Sequence, residues 1–278
     1  MHWMERASAA NWTLFVVTFV VVATWESLRP VQALSWPAER RWGRHAVMLL
    51  ISGISMTAAF RISPVLLAVA TANSRFGVLN REWIPFVARC GATILLLDLV
   101  TYATHRAFHS VPLLWRVHEV HHSDPDYDVS TAARFHPIEV VLVQGAHLVI
   151  ILLLAPPPIA VFVSGLFTVV LNLFVHANAS LPRWAEPSLR RVFITPDLHR
   201  IHHSEDIVEQ GRNLGQTFIW WDRLFGTYAG QAQGRDGGRT GLRGLQNEQS
   251  LGIGFMLAEP FQSRAQPQID PAAIRPGL

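Results

Sequence analysis

Histidines in three short clusters are the residues of this sequence whose type and spacing could do chemistry. The clusters are His105 and His109, then His118, His121 and His122, and finally His199, His202 and His203. Spacings of three and four residues place side chains on one face of an α-helix. Imidazole suits zinc, copper, iron and nickel, so each cluster is a candidate set of metal ligands. His176 joins the set by its position, and one ion accepts at most about six ligands, with only four for structural zinc. The ligand count therefore predicts two metal ions.

The composition indicates a membrane protein and excludes several kinds of cofactor site. Of the 278 residues, 50% are hydrophobic and 15% are charged, whereas soluble domains carry about 25% charge. The single cysteine, Cys90, excludes an intramolecular disulfide, a thiolate zinc site and a cysteine-ligated iron–sulfur cluster. The net charge is +3 and every cation is Arg. Arginine beside apolar runs fits membrane topology better than nucleic-acid binding. The lack of Lys suggests a GC-rich bacterial genome, so the membrane is expected to be a bacterial inner membrane.

Five apolar runs predict an all-α integral membrane protein with four to five membrane helices and a cytoplasmic helical cap that carries the metal site. The runs are Trp12–Trp25, Ala46–Ala72, Ile84–Thr104, Ile138–Leu154 and Ile159–His176. About 20 residues are needed to cross a bilayer core. Three prolines, 156–158, separate the last two runs and predict a tight turn between antiparallel helices. The apolar piece from Leu251 to Phe261 is expected either on the membrane surface or capping the core.

The arginines predict which side of the membrane the clusters face. Arg29, Arg40, Arg41 and Arg44 lie between the first two runs, and the positive-inside rule places that segment in the cytoplasm. Each crossing reverses the side, so residues 106–134 and His176 return to the cytoplasm. All the histidine clusters are therefore expected on one cytoplasmic face.

The three clusters resemble the histidine boxes of the sterol desaturase and fatty acid hydroxylase superfamily. The sequences HRAFH, HEVHH and HRIHH match its HxxxH, HxxHH and HxxHH boxes in order, with the membrane hairpin between the second and third. Flanking sequences agree as well: LD at 97–98, PLLW at 112–115, RFHPIE at 134–139, NLG at 213–215 and WDRLFGT at 221–227. The segments HHSDPDYDVSTAARFHP and FVHAN are also similar to the alkylglycerol monooxygenase branch.

The resemblance implies a membrane-bound monooxygenase. Members of this superfamily bind two non-haem irons through these histidines, activate O2 and attack a C–H bond of a lipid such as a fatty acyl chain, sterol or ether lipid. The outcome is hydroxylation, desaturation or ether cleavage. No nucleotide or haem motif is present, so electrons are expected from a separate donor protein or reductase. On this basis residues 1–83 hold N-terminal membrane helices and a loop, 84–228 the catalytic domain, and 229–278 a tail.

Two other functions fit parts of the pattern. His118, Glu119 and His122 satisfy the HExxH signature of zinc metalloproteases, in which the Glu activates water. Such a site would leave the other cluster histidines without a role. A non-catalytic metal-binding or transport protein is the second alternative, and it would place polar ligands along the crossing helices. Only Asp98 and His147 lie deep within the runs.

Supporting roles are predicted for residues near the clusters. Asp98 and Tyr102 share a helical stripe with His105, so we expect Asp98 to hold a ligand imidazole or to pass protons. An ion pair between Asp98 and Arg89 is the alternative. His136 is either a tenth ligand or part of a structural helix start.

Other polar residues are expected to be structural or exposed. His147 either lines a substrate cavity or packs within its helix. Glu119 and Asp197 either orient imidazoles or form solvated ion pairs. Asp222 and Arg223 are expected to fix the last helix, and His2 and His45 to lie on the surface. A His45→Ala substitution should therefore be silent.

Overall fold

The computed structural model describes residues 2–74, 76–232 and 239–262, with side chains from residue 9 onward. Over these residues the chain is helical, and its only β-pairing is two isolated bridges. The α-helices are α1 His2–Leu28, α2 Ala38–Phe60, α3 Pro64–Thr71, α4 Phe86–Ser110, α5 Pro112–His122, α6 Pro137–Leu154, α7 Pro158–Val175, α8 Glu186–Leu189, α9 Pro196–His202, α10 Ile207–Gln210, α11 Trp220–Leu224 and α12 Ile253–Ala258. Short 3-10 helices cover Val78–Asn80, Val129–Ala133, Glu248–Leu251 and Glu259–Phe261.

Five helical segments are long and apolar enough to cross a membrane, as the five apolar runs predict. They are Ala9–Leu28, Ala38–Thr71, Phe86–Ser110, Pro137–Leu154 and Pro158–Val175. The second is not one helix, because Arg61 takes a left-handed conformation with φ +52° and ends α2. Ser63 then caps α3, with Pro64 in its first turn. The chain is a multi-pass membrane protein.

The ends of the membrane helices that carry the functional residues lie together. His105 and His109 are at the C-terminal end of α4, Glu139 is in the first turn of α6, and His176 follows α7. Hydrogen bonds and ring contacts join these three ends through the imidazoles described below. The alternating crossings therefore return every histidine cluster to one face, as the sequence predicts.

The α6–α7 hairpin is open rather than closely packed. Ala155 turns the chain in a left-handed conformation with φ +46°, and the prolines that follow start α7. Beyond this turn the two helices diverge, and both pack on α3 and α4. The space between the diverging helices leaves room for a cavity beside the histidines. Hydropathy alone does not predict this cavity.

A buried ionic network ties α2 to the chain that follows α5. Arg41 donates hydrogen bonds to the carboxylates of Asp124 and Asp128, and all three side chains are buried. His45 lies in the same network, with Nδ1 2.8 Å from the Ser130 hydroxyl and Nε2 3.2 Å from the Arg134 guanidinium. The expectation that His45 is a surface residue is therefore wrong, because its ring is only 1% exposed.

The described part of the C-terminal tail covers the core. Phe255 and Met256 of α12 pack in one cluster with Met48 of α2 and Val120 of α5. Of the two positions considered for Leu251–Phe261, the structure shows the one that caps the core.

Candidate metal centre

Three helices bring the histidine clusters to one place, and local sequence explains where two of them begin. Pro112 starts α5 directly after the end of α4, so the chain reverses and α5 packs against α4. Pro196 starts α9, which packs against α7. The helical spacing then turns the imidazoles of α4, α5 and α9 toward a common centre.

Nine imidazoles form two groups, each compact enough to hold one metal ion. The first group is His105, His109, His118, His122 and His202, and the second is His121, His176, His199 and His203. Within each group the ligand nitrogens all lie within 4.8 Å of one another. Every ring is buried except that of His105, which is partly buried. The helix α5 and the segment at α9 each supply ligands to both groups.

Hydrogen bonds fix which ring nitrogen points inward in the first group. His105 Nδ1 donates to the backbone carbonyl of Leu214 at 2.7 Å, so its Nε2 carries a lone pair. His118 Nδ1 lies 2.6 Å from the Glu139 carboxylate, which leaves its Nε2 in the same state. These two Nε2 atoms lie 3.1 Å apart. Facing lone pairs at that distance repel each other unless a cation lies between them.

The same pattern recurs across both groups. His176 Nδ1 donates to the carbonyl of Asn172 at 2.7 Å, and His202 Nδ1 donates to the carbonyl of Arg212 at 3.0 Å. The His176 Nε2 then faces the His199 Nε2 at 3.2 Å. Proteins usually orient a metal-binding histidine by placing a hydrogen-bond acceptor next to the ring nitrogen that faces away from the metal.

Distances and unsatisfied atoms both fit bound metal ions. Two nitrogens bound about 2.1 Å from one metal lie about 3.0–3.4 Å apart, which matches the contacts of 3.1 and 3.2 Å. Eight buried ring nitrogens of the two groups have no hydrogen-bond partner within the described residues: both of His109, both of His122, Nδ1 of His121 and His199, and Nε2 of His202 and His203. Buried polar atoms without partners are costly and uncommon, and a metal ion in each group would satisfy one nitrogen of each ring that binds it.

Burial keeps the imidazoles of the two groups neutral. It lowers the pKa of His118 to about 3 and that of His176 to about 4, and the pKa of His203 lies well below its ordinary value for the same reason. Only the neutral ring offers a lone pair to a metal. These histidines are therefore ready to bind at neutral pH.

A cavity of about 260 Å³ opens beside the imidazoles and between the diverging helices α6 and α7. His105 and His118 of the first group line it, together with His121 and His199 of the second. The apolar part of its wall includes Phe108, Phe135, Val140 and Val143. A largely apolar pocket with a few polar groups is the usual form of a small-molecule site, and this one borders both groups.

Comparison with known proteins agrees with this geometry. Residues 90–227, about half of the chain, match the family model for fatty acid hydroxylase. The chain belongs to this family. It is an enzyme of the fatty acid hydroxylase type and lies near the alkylglycerol monooxygenase branch, as its histidine boxes predict.

The curated relatives of this hydroxylase act on lipids, as their names state. An ornithine lipid hydroxylase of Rhizobium tropici is 26% identical over 92% of this chain and 77% of its own length. Alkylglycerol monooxygenases are 35% identical in Caenorhabditis elegans and 28% identical in Homo sapiens, over 47% and 49% of this chain. The match spans only 25% and 30% of those two longer proteins. No solved structure matches the chain.

Asp98 and Tyr102 form hydrogen bonds with the chain segment that follows the third histidine box. Asp98 accepts hydrogen bonds from the Trp221 indole at 2.8 Å and the Phe218 amide at 3.2 Å. Trp221 and Phe218 are therefore the partners of Asp98, rather than the ligand imidazole or the Arg89 side chain considered from the sequence. The Tyr102 hydroxyl lies 2.9 Å from that of Thr227.

Asp222 completes this support, as the structural role predicted for it requires. Its carboxylate accepts hydrogen bonds from the amides of Leu214 and Gly215 and from the Thr227 hydroxyl. Because the Leu214 carbonyl holds His105, Asp222 fixes a metal-facing ring through one backbone residue. Burial raises the pKa of Asp222 to about 6.

The other polar residues fall outside the two groups. His136 caps α6 by accepting from the Ile138 amide, which is the helix-start role. His147 hydrogen-bonds the Val143 carbonyl of its own helix. Asp197 pairs with Arg200 at the surface, whereas Glu119 is buried.

Glu139 is the residue whose link to the site the sequence does not predict. It lies in the first turn of α6, where a carboxylate is also favoured by the helix dipole. Its contact with His118 depends on how α6 rotates against α5, and the sequence pattern of α6 carries no sign of that pairing.

Proposed function

We propose that this chain is an O2-dependent di-iron enzyme that hydroxylates a C–H bond of a membrane lipid. The observation that supports the proposal best is the pair of buried imidazole groups, whose ring nitrogens face one another at 3.1 and 3.2 Å beside a cavity at the ends of membrane helices. Hydroxylation, desaturation and ether cleavage share the same attack on carbon, and the names of the relatives favour hydroxylation.

The nine imidazoles would hold two irons, one in each group, and bound irons would supply the activation of O2. The residues of the chain do the remaining work. Glu139 orients His118, and the carbonyls of Leu214 and Asn172 orient His105 and His176. The apolar wall excludes water and holds the lipid carbon next to both groups. Converting O2 and a C–H bond into one hydroxyl group and one water also consumes two electrons and two protons. A separate donor protein or reductase would deliver the electrons.

The substrate would enter from the bilayer, because the cavity lies between membrane helices. A polar membrane lipid is the substrate class that the names of the relatives support. We place the metal site on the cytoplasmic side of a bacterial inner membrane, which is supported by the arginines near the start of α2. Reporter fusions after residue 155 and after residue 180 test this sidedness, and a cytoplasmic signal at 155 would contradict it.

The proposal is tested by metal content and by labelled oxygen. Protein purified in detergent from iron-supplied cells should contain about two irons per chain, one for each group. Cells supplied with ¹⁸O2 should accumulate lipids that carry one ¹⁸O atom, and His121→Ala should abolish this label. A single zinc with peptide-cleaving activity would instead support the HExxH protease, and bound iron without oxidised lipid would support a metal-binding role.

A further inference from the structure

Most hydroxyl groups along the cavity have their hydrogen-bond donor engaged within the protein. The hydroxyls of Thr101, Thr104 and Thr168 donate to backbone carbonyls one turn earlier in their own helices, at 3.1, 2.9 and 3.0 Å. Each hydroxyl has a single proton to donate. These three residues therefore offer a substrate no free donor.

Two of the three amide side chains in the cavity are also engaged. The Asn172 amide donates to the Ala132 carbonyl at 2.9 Å, and the Gln216 amide donates to the Asn172 side-chain oxygen at 3.3 Å. Gln144 of α6 is different, because its side chain makes no hydrogen bond with any residue that the structure describes. One amide donor pair and one carbonyl acceptor thus line the cavity without a protein partner.

The position of Gln144 indicates a function. It lies within the apolar span Pro137–Leu154, where polar residues usually have a function. Gln144 follows Glu139 by five residues, which is about 7.5 Å along the helix axis. The amide therefore lies further into the span than Glu139 and lines the same cavity as the imidazoles.

We propose that Gln144 binds an amide, ester or hydroxyl group of the lipid and so selects which C–H bond lies beside the imidazoles. This inference rests on the proposed lipid hydroxylation. The substrate is then a lipid that carries such a hydrogen-bonding group near the carbon that reacts. A plain hydrocarbon chain leaves the Gln144 amide unsatisfied and binds less well.

A binding experiment on metal-free protein tests the inference without catalysis. The protein in nanodiscs is titrated with a long-chain N-methyl amide and with the alkane of equal length, and bound ligand is counted by native mass spectrometry. The wild type should bind the amide about tenfold more tightly, the upper end of what one hydrogen bond supplies. Gln144→Leu, which keeps the size of the side chain, should remove this preference. Leu142→Val, on the lipid-exposed side of the same helix, should keep it.

Oxygen placement provides the second measurement. Loaded enzyme in vesicles of bacterial polar lipids is supplied with ¹⁸O2, and tandem mass spectrometry locates the label. The wild type should label one carbon, whereas Gln144→Leu should spread the label over neighbouring carbons at unchanged iron content. An unchanged preference for the amide together with unchanged label position overturns the inference and leaves the proposed function intact. If the iron-loaded wild type labels no lipid, the proposed function is overturned. The binding titration alone then decides whether Gln144 binds the polar group.

Discussion

Replacing Glu139 tests how strongly the outer carboxylate supports the metal centre. Its Oε1 lies 2.6 Å from His118 Nδ1, and both side chains are buried. Glu139→Gln keeps the shape and an acceptor oxygen but removes the charge. A hydrogen bond to a charged group contributes about 1.5–3 kcal/mol and a neutral one about 0.5–1.5 kcal/mol. The difference of about 1.4 kcal/mol corresponds to a tenfold change in an equilibrium constant, so iron should bind the first group about tenfold more weakly.

Glu139→Ala should cost more, because His118 Nδ1 then has no acceptor in a buried site. Changes to residues behind metal ligands typically cost about 10- to 100-fold in metal affinity or activity, and we expect the upper end. The assay is iron retention during dialysis against graded chelator, read by elemental analysis.

Asp197→Asn is the matched control for this experiment. Asp197 is also a carboxylate near a histidine box, but it pairs with Ser180 and Arg200 at the surface. Iron retention in this variant should equal that of the wild type. If Glu139→Gln keeps iron as tightly as the control, the carboxylate does not support His118 and our reasoning fails.

Three further predictions follow from the site and its surroundings. His202→Ala and His121→Ala remove ligands from different groups, so each should leave about one iron per chain by elemental analysis; loss of both irons from either variant would contradict two separable groups. Metal-free protein should melt at lower temperature as the pH falls below about 6.5, because burial lowers the folded pKa of His118 to about 3 while the unfolded value stays near 6.5. The unfolded chain then binds more protons, so the free energy of unfolding falls by up to about 1.4 kcal/mol per pH unit for each such histidine. A flat melting profile from pH 7 to pH 5 would refute this. His45→Ala should destabilise the protein by about 1–3 kcal/mol because it strips partners from Ser130 and Arg134, whereas a silent variant in a thermal melt would restore the surface interpretation.

The sequence predicts features that depend on local periodicity. Spacings of three and four residues place His118, His121 and His122 on one face of a helix, and the structure has them on α5. The five apolar runs likewise correspond to the five candidate spans, because hydropathy is a property of each segment alone. Their alternating direction was enough to predict that the clusters meet on one face.

Features that depend on pairing between distant segments could not be predicted in this way. His45 shows no motif, and only its packing against residues 130 and 134 reveals that it is buried. Asp98 was predicted to hold a ligand imidazole or to pass protons, but its partner Trp221 lies more than 120 residues away in the chain. The rotation of α6 that turns Glu139 to His118 and leaves Gln144 in the cavity has no signature in composition or spacing.

The sharing of α9 between the two imidazole groups has a consequence for biosynthesis. His202 belongs to the first group, while His199 and the adjoining His203 belong to the second. Neither group is complete until this helix has left the ribosome, and by then all five spans, which precede it in the chain, have left as well. Metal acquisition would therefore be a late step of maturation that follows membrane insertion. Once acquired, each ion would cross-link segments about 80 to 100 residues apart, which closes long loops and locks the assembled helices in place.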